Sequence, residues 1–170
     1  MTDYKLANSL ANEALKLWGA GQLAEAADRY GKAIGIFPTY PDWHGAYAGV
    51  LHQLGRHEEA TREYEAVLTL ELAQGAPETS PAVKVARYFL ADHLRKTGQP
   101  GKALEVLAPA QRAHPSDWLI ATARALALFA VGQIAEAKAT AQQAVDNAET
   151  EAKKAELAEH LSGVLGGEVG

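Results

Sequence analysis

Apolar residues recur along most of this chain three and four positions apart, the spacing that gathers side chains on one face of a helix. Leu10, Ala14, Leu17 and Trp18 form the first such stripe, which Gly19-Ala20-Gly21 interrupts. Leu23, Ala26, Ala27, Tyr30, Ala33, Ile34 and Phe37 form the second, and Pro38 with Pro41 stops it, because proline has no amide hydrogen and crowds the preceding turn. The pattern predicts two helices packed antiparallel across a tight glycine turn. Tyr47, Ala48 and Leu51, then Gly55, then Ala60, Tyr64, Val67 and Leu68 repeat it without a closing proline, so this helix is expected to run on to about Gln74. Gly75 to Pro81 reads as a loop, and Ser80 followed by Pro81 as the N-cap and first turn of a helix longer than its counterparts.

The remainder follows suit. Leu90, Ala91 and Leu94 precede Gly98, and Ala103, Leu107 and Ala110 follow it, closed by His114-Pro115. Ser116 or Asp117 is expected to cap a helix marked by Ala121, Ala125 and Leu128, and Gly132 separates that helix from one carrying Ala137, Ala144 and Val145. From Glu151 to Leu165, one more helix gathers Leu157, Ala158, Leu161, Val164 and Leu165 on one face. The expectation is a cover for the last pair, since a stacked array needs an end that tolerates water. No Gly or Pro precedes this helix, so an unbroken helix across Thr150 stays open, as does a dimer face on its apolar stripe. Gly163, Gly166, Gly167 and Gly170 predict a frayed tail.

The turn that separates the first two stripes reads GQLAEA from Gly21, and near copies begin at Gly55 (GRHEEA), Gly98 (GQPGKA) and Gly132 (GQIAEA). These glycines lie 34, 43 and 34 residues apart: one unit of fixed length occurs four times with a nine-residue insertion. A helix-turn-helix unit of that length, with small, apolar and proline markers at fixed offsets, resembles the tetratricopeptide repeat. Units at residues 7–40, 41–74, 84–117 and 118–151, with an inserted loop at 75–83 and a capping helix and tail at 152–170, align the four glycines. The family's alanine after the turn then falls on Ala26, Ala60, Ala103 and Ala137, its small first-helix residue on Ala14, Ala48, Ala91 and Ala125, and its closing proline on Pro38 and Pro115. The sequence departs from the family where a first-helix tryptophan is usual, carrying Leu10, His44, Arg87 and Ala121, and again at Arg124, where leucine is usual.

The resemblance implies an all-α, right-handed solenoid of four repeats plus a C-terminal capping helix, a single domain over 1–170. It implies that the first helices line a groove that holds a peptide or helix of a protein partner. Carried onto this chain, the groove positions are Asn8, Asn12, Leu15 and Trp18, then Asp42, Gly45, Ala46, Gly49, His52 and Gln53, then Tyr88, Phe89, Asp92, Arg95 and Lys96, and finally Thr122, Ala123, Leu126 and Phe129. Gly45, Ala46 and Gly49 read as a small-residue floor with room for an inserted side chain. Some members clamp a terminal carboxylate with Lys, Asn and Arg; here those positions hold Ala11, Leu15, Ala46, Val85 and Phe89, so that clamp is missing.

Charge refines the picture. Sixteen Lys and Arg against 21 Asp and Glu give net −5, which argues against binding to a phosphate backbone. Residues 84–124 nonetheless hold seven basic side chains, Lys84, Arg87, Arg95, Lys96, Lys102, Arg112 and Arg124, a belt that either meets an acidic partner segment or complements its acidic neighbours. With no cysteine there is neither disulfide nor thiolate metal site, and no run of about 18 apolar residues predicts a membrane span. No secretory leader is read at the start, so the expected compartment is the cytoplasm, the expected partner a protein rather than nucleic acid or membrane, and the expected state a monomer or homodimer.

Several motifs tempt without persuading. Gly19, Gly21 and Ala24 match a dinucleotide fingerprint by letter, but that motif needs a preceding strand. His52 and His57, five apart, would lie about 140° apart on a helix and point to different sides. Neither the histidines nor any serine form a metal or nucleophile pattern, so no metal, cofactor or catalytic residue is expected. Gly31 and Gly35 each weaken their helix by about 1 kcal/mol relative to alanine, on an exposed face or at a contact with another chain. The expected function is a non-enzymatic protein-interaction scaffold. A ligand- or peptide-sensing regulator and a secretion-type chaperone stay open as alternatives.

Overall fold

The computed structural model describes residues 3–167, and among them every regular element is an α-helix. The turn glycines explain the regularity. Gly21 has φ +76°, a left-handed backbone that an L side chain rarely adopts. The Gln22 amide bonds back to the Leu17 carbonyl at 2.9 Å and the Gly21 amide to the Trp18 carbonyl at 2.9 Å. This pair of bonds is the Schellman ending, which satisfies helix carbonyls that would otherwise lack donors. The long-reach bond recurs from Arg56 to Leu51, Gln99 to Leu94 and Gln133 to Leu128, so the same glycine stops the first helix of each pair and reverses the chain.

Contacts divide the chain into two units, Met1–Ala76 and Pro77–Gly170, where the sequence led us to expect one domain. The division falls inside the inserted loop, which breaks the spacing of the repeats. In the first unit, α1 (Asp3–Gly19) packs on α2 (Leu23–Ile36), α2 on α3 (Pro41–Gln53), and α3 on α4 (His57–Ala73). Ala14, Ala26, Ala48 and Ala60 are fully buried where paired helices meet; with no side chain beyond Cβ, they let the backbones approach closely. Around them Tyr30, Trp43, Val50, Leu10, Leu17 and Tyr47 complete the core. The innermost face of α1 is Ala7, Ala11 and Ala14, with the larger residues of the predicted stripe packed at its margin. Tyr4 stacks on Trp43 and meets Phe37 edge-on, and these contacts hold the first turn of α1.

The second unit holds α5 (Pro81–Lys96), α6 (Pro100–Ala113), α7 (Trp118–Ala130), α8 (Ile134–Asp146) and α9 (Glu151–Leu165). Ser80 caps α5 by accepting from the Ala82 amide, and Asp117 caps α7 by accepting from the Ile120 amide. At 16 residues α5 exceeds α3 and α7, both 13, but not α1, which reaches 17 because Tyr4 anchors an added turn. Ala91, Ala103, Ala125 and Ala137 are buried like their counterparts in the first unit. Pro109 lies inside α6, at a position the pattern did not flag.

Thr150 separates α8 from α9: its backbone is extended and its hydroxyl accepts from the Lys153 amide. The unbroken-helix alternative therefore falls away. Leu157, Leu161 and Leu165 are buried with Ala141, Ala144 and Val145, so the apolar stripe covers its own chain. Val164, expected on that face, is 41% exposed: it lies three residues from Leu161 and seven from Leu157, but the buried stripe follows the i, i+4, i+8 row of Leu157, Leu161 and Leu165. Lys153 places its ammonium 5.2 Å from the Trp118 ring centre, a further tie between α9 and α7. Of the expected glycine tail, Gly166 ends α9 in a left-handed cap, and Gly170 lies outside the described residues.

Candidate functional site

The predicted binding residues fall into two sets, one on each unit. In the first, α1 supplies Asn8, Asn12, Leu15 and Trp18, and α3 supplies Gly45, Gly49, His52 and Gln53. Asn12 and Gln53 are exposed, Asn8 and His52 partly so, and Leu15 keeps 56% of its surface in water. The Trp18 indole donates to the Gln53 side-chain carbonyl at 3.2 Å. It also lies over Gly49: a Cβ there would stand 3.1 and 3.3 Å from two atoms of the ring. The room expected above Gly49 is thus taken by Trp18, and the space above Gly45 is bounded by Val67 of α4 at 3.8 Å. Gly49 serves the close passage of Trp18, while Gly45, Ala46 and Gly49 all keep part of their surface in water.

The second set combines Tyr88, Phe89, Asp92, Arg95 and Lys96 of α5 with Thr122, Leu126 and Phe129 of α7, which packs beside α5. Phe89 is 50% exposed and meets Tyr88 edge-on at 5.3 Å. Val85, one turn earlier on α5, is exposed as well. It stands four residues before Phe89 and so shares its helix face. Leu126 and Phe129 pack against the core beneath α9, and the Thr122 hydroxyl donates to the Trp118 carbonyl of its own helix. From α7, then, these three side chains are partly committed to the fold.

The basic belt is locally neutralised. Asp92 receives Arg95 at 2.8 Å and Lys96 at 2.6 Å. Burial pushes the Asp92 carboxyl up, but bonds to Lys96 and Arg95 outweigh it and hold the group below its ordinary value. Lys84 pairs with Asp117 at 2.6 Å, and Arg124 with Glu136 and the Thr140 hydroxyl. Arg87, only 8% exposed, grips both carboxylate oxygens of Glu78 through Nε and Nη2 and donates from Nη1 to the Val106 carbonyl at 3.0 Å. The Arg87 bonds hold the Glu78 carboxyl below the usual range, with burial opposing them. His114 reaches the Glu78 carbonyl at 3.1 Å, so the inserted loop is tied to α5 and to the end of α6.

Two of the departures from the repeat pattern therefore carry polar anchors that sequence spacing does not reveal. Arg87 holds the loop, and His44, 7% exposed in α3, sits between Glu63 of α4 and the Pro38 carbonyl. The expectation that His52 and His57 point apart assumed one helix. They lie on α3 and α4, across the Gly55 turn, with ring centres 5.3 Å apart. Among the described residues, no group of three or more His, Asp or Glu side chains is placed to hold a metal ion.

Antiparallel helix pairs of constant design, crossing at buried alanines behind left-handed glycines, define a helical-repeat protein. The tetratricopeptide repeat family matches this sequence over residues 17–69 and again over 88–156, and the chain belongs to that family. No curated protein matches it by sequence. Among solved structures, MamA of Desulfovibrio magneticus RS-1 is 22% identical with a TM-score of 0.71, the match covering 93% of this chain and 82% of that one. PilF of Pseudomonas aeruginosa is 18% identical, TM-score 0.68, over 94% and 69%. BtubC of P. vanneervenii is 16% identical, TM-score 0.72, over 95% and 72%. At these identities the likeness is one of fold. The family is one of protein-interaction scaffolds, typically without catalytic activity. No helix among the described residues is long and apolar enough to cross a membrane.

Proposed function

We propose that this chain is a non-enzymatic scaffold that holds a peptide or helix of a protein partner against the first helices of its repeats, and that it works in the cytoplasm. The observation that carries this reading is the exposure of Val85 and Phe89 one turn apart on α5, with Leu15 exposed on α1 in the other unit; single apolar residues such as Leu72 on α4 and Ile134 on α8 are exposed as well. Apolar surface left in water forgoes about 25 cal/mol for each Å² that burial would remove, and contiguous exposed apolar residues mark interaction sites. The cations nearby are engaged with Asp92, which favours recognition led by apolar anchors over recognition of an acidic segment. The net charge of −5 weighs against a nucleic-acid partner.

A displayed peptide library selected against the wild-type chain supplies ligands for the test. Phe89→Ala should weaken the selected peptides by about 2 kcal/mol, roughly thirty-fold, if the ring is an anchor. Equal affinity for a folded Phe89→Ala variant removes the anchor and this reading of the face.

A further inference from the structure

Both ring nitrogens of the buried His44 meet acceptors. Nδ1 lies 2.7 Å from the Glu63 carboxylate and Nε2 lies 2.9 Å from the Pro38 carbonyl. A neutral imidazole has one N–H and one bare lone pair, so it can donate to only one of these oxygens and must turn the lone pair toward the other. Only the imidazolium satisfies both at once. The three groups come from three places: Glu63 from α4, His44 from α3, and Pro38 from the connection that ends α2. We propose that the Glu63–His44–Pro38 contact is a proton-dependent latch of the first unit, closed when His44 carries two protons and loosened when it loses one. This goes beyond the scaffold reading and does not depend on it.

Among the described residues, the charged group facing His44 is Glu63, and Pro38 adds its carbonyl dipole. Tyr47, one turn further along α3, lies within electrostatic reach of the same carboxylate, and burial raises its phenol, keeping it neutral near pH 7. Burial alone pushes His44 down from its ordinary 6.5, but the Glu63 hydrogen bond, the Pro38 hydrogen bond and the Glu63 charge outweigh it, and the net direction is up. A histidine raised in the folded state stabilises that state fully below its unfolded value, and the contribution disappears as pH climbs through the folded value. The latch is therefore closed at mildly acidic pH and opens in the window above about 6.5.

Two measurements test it. Nitrogen NMR of the wild-type chain at pH 6.5 should show both His44 ring nitrogens protonated, with titration above that of an ordinary histidine. A bare nitrogen at that pH overturns the proposal whether or not any variant folds. Urea unfolding from pH 6 to 9 should show the wild-type unfolding constant rising by up to about tenfold per pH unit within the window. Glu63→Gln keeps the size and an acceptor oxygen but removes the charge, and should flatten that rise. An identical pH slope in the two proteins contradicts the latch.

Discussion

Trp18 and Gly49 show how one residue's shape depends on another's absence of side chain. The indole rests where a Cβ on Gly49 would come within 3.1 Å, and its N–H is aimed at Gln53. Gly49→Ala forces the ring to move by a few tenths of an ångström, which strains a hydrogen bond already at 3.2 Å. Helix α3 gains about 1 kcal/mol of propensity in exchange, so stability should change little while the Trp18 indole N–H resonance shifts toward that of solvated tryptophan. An unshifted resonance means that the ring does not depend on the glycine. At this scale the sequence was only partly legible. Residue type and spacing placed Trp18, Gly49 and Gln53 near one another, but whether a glycine leaves space or admits a neighbour depends on the rotamer of a residue 31 positions away. His44 and Arg87 were hidden for a similar reason. They look like weak substitutes for tryptophan until Glu63 and Glu78 are seen beside them.

Helix ends and helix crossings were the most legible features because each is set by local chemistry. Gly21 and its three successors are the left-handed residues of one repeated turn, Ser80 and Asp117 are caps, and the eight crossing alanines are buried. What the pattern left open was the end of the chain, where periodicity alone does not separate a lid from a partner-seeking face. The fold separates them through Thr150, whose extended backbone and capping hydroxyl start α9 afresh after α8 has ended at Asp146 and let α9 turn back over Ala141 and Val145. Leu161, fully buried there, makes a direct check. Leu161→Ala should cost about 2–5 kcal/mol in urea unfolding, the range for emptying a buried leucine site. A loss below about 0.5 kcal/mol, normal for exposed positions, contradicts the lid.

On the scale of the whole molecule, a repeated unit lets a short chain present several first helices while each pair buries its own alanine-lined crossing. The family and the fold were legible because the 34-residue period survives every substitution at the tryptophan position. The interruption after Ala76 was visible as a nine-residue insertion, though not its consequence that contacts divide there into two units. The binding face was less legible, since the sequence counts charges and not their partners: the basic belt is largely engaged with Asp92, Asp117, Glu78 and Glu136. The proposed reading therefore rests on exposed apolar side chains, Leu15 of α1 and Val85 with Phe89 of α5, rather than on the cations. The most direct test of the scaffold claim is amide hydrogen exchange of the wild-type chain with and without a selected peptide. Added protection is expected in α1, α3, α5 and α7, with α2, α4, α6 and α8 changing far less. Protection confined to the second helices, or absent at saturating peptide, contradicts the claim.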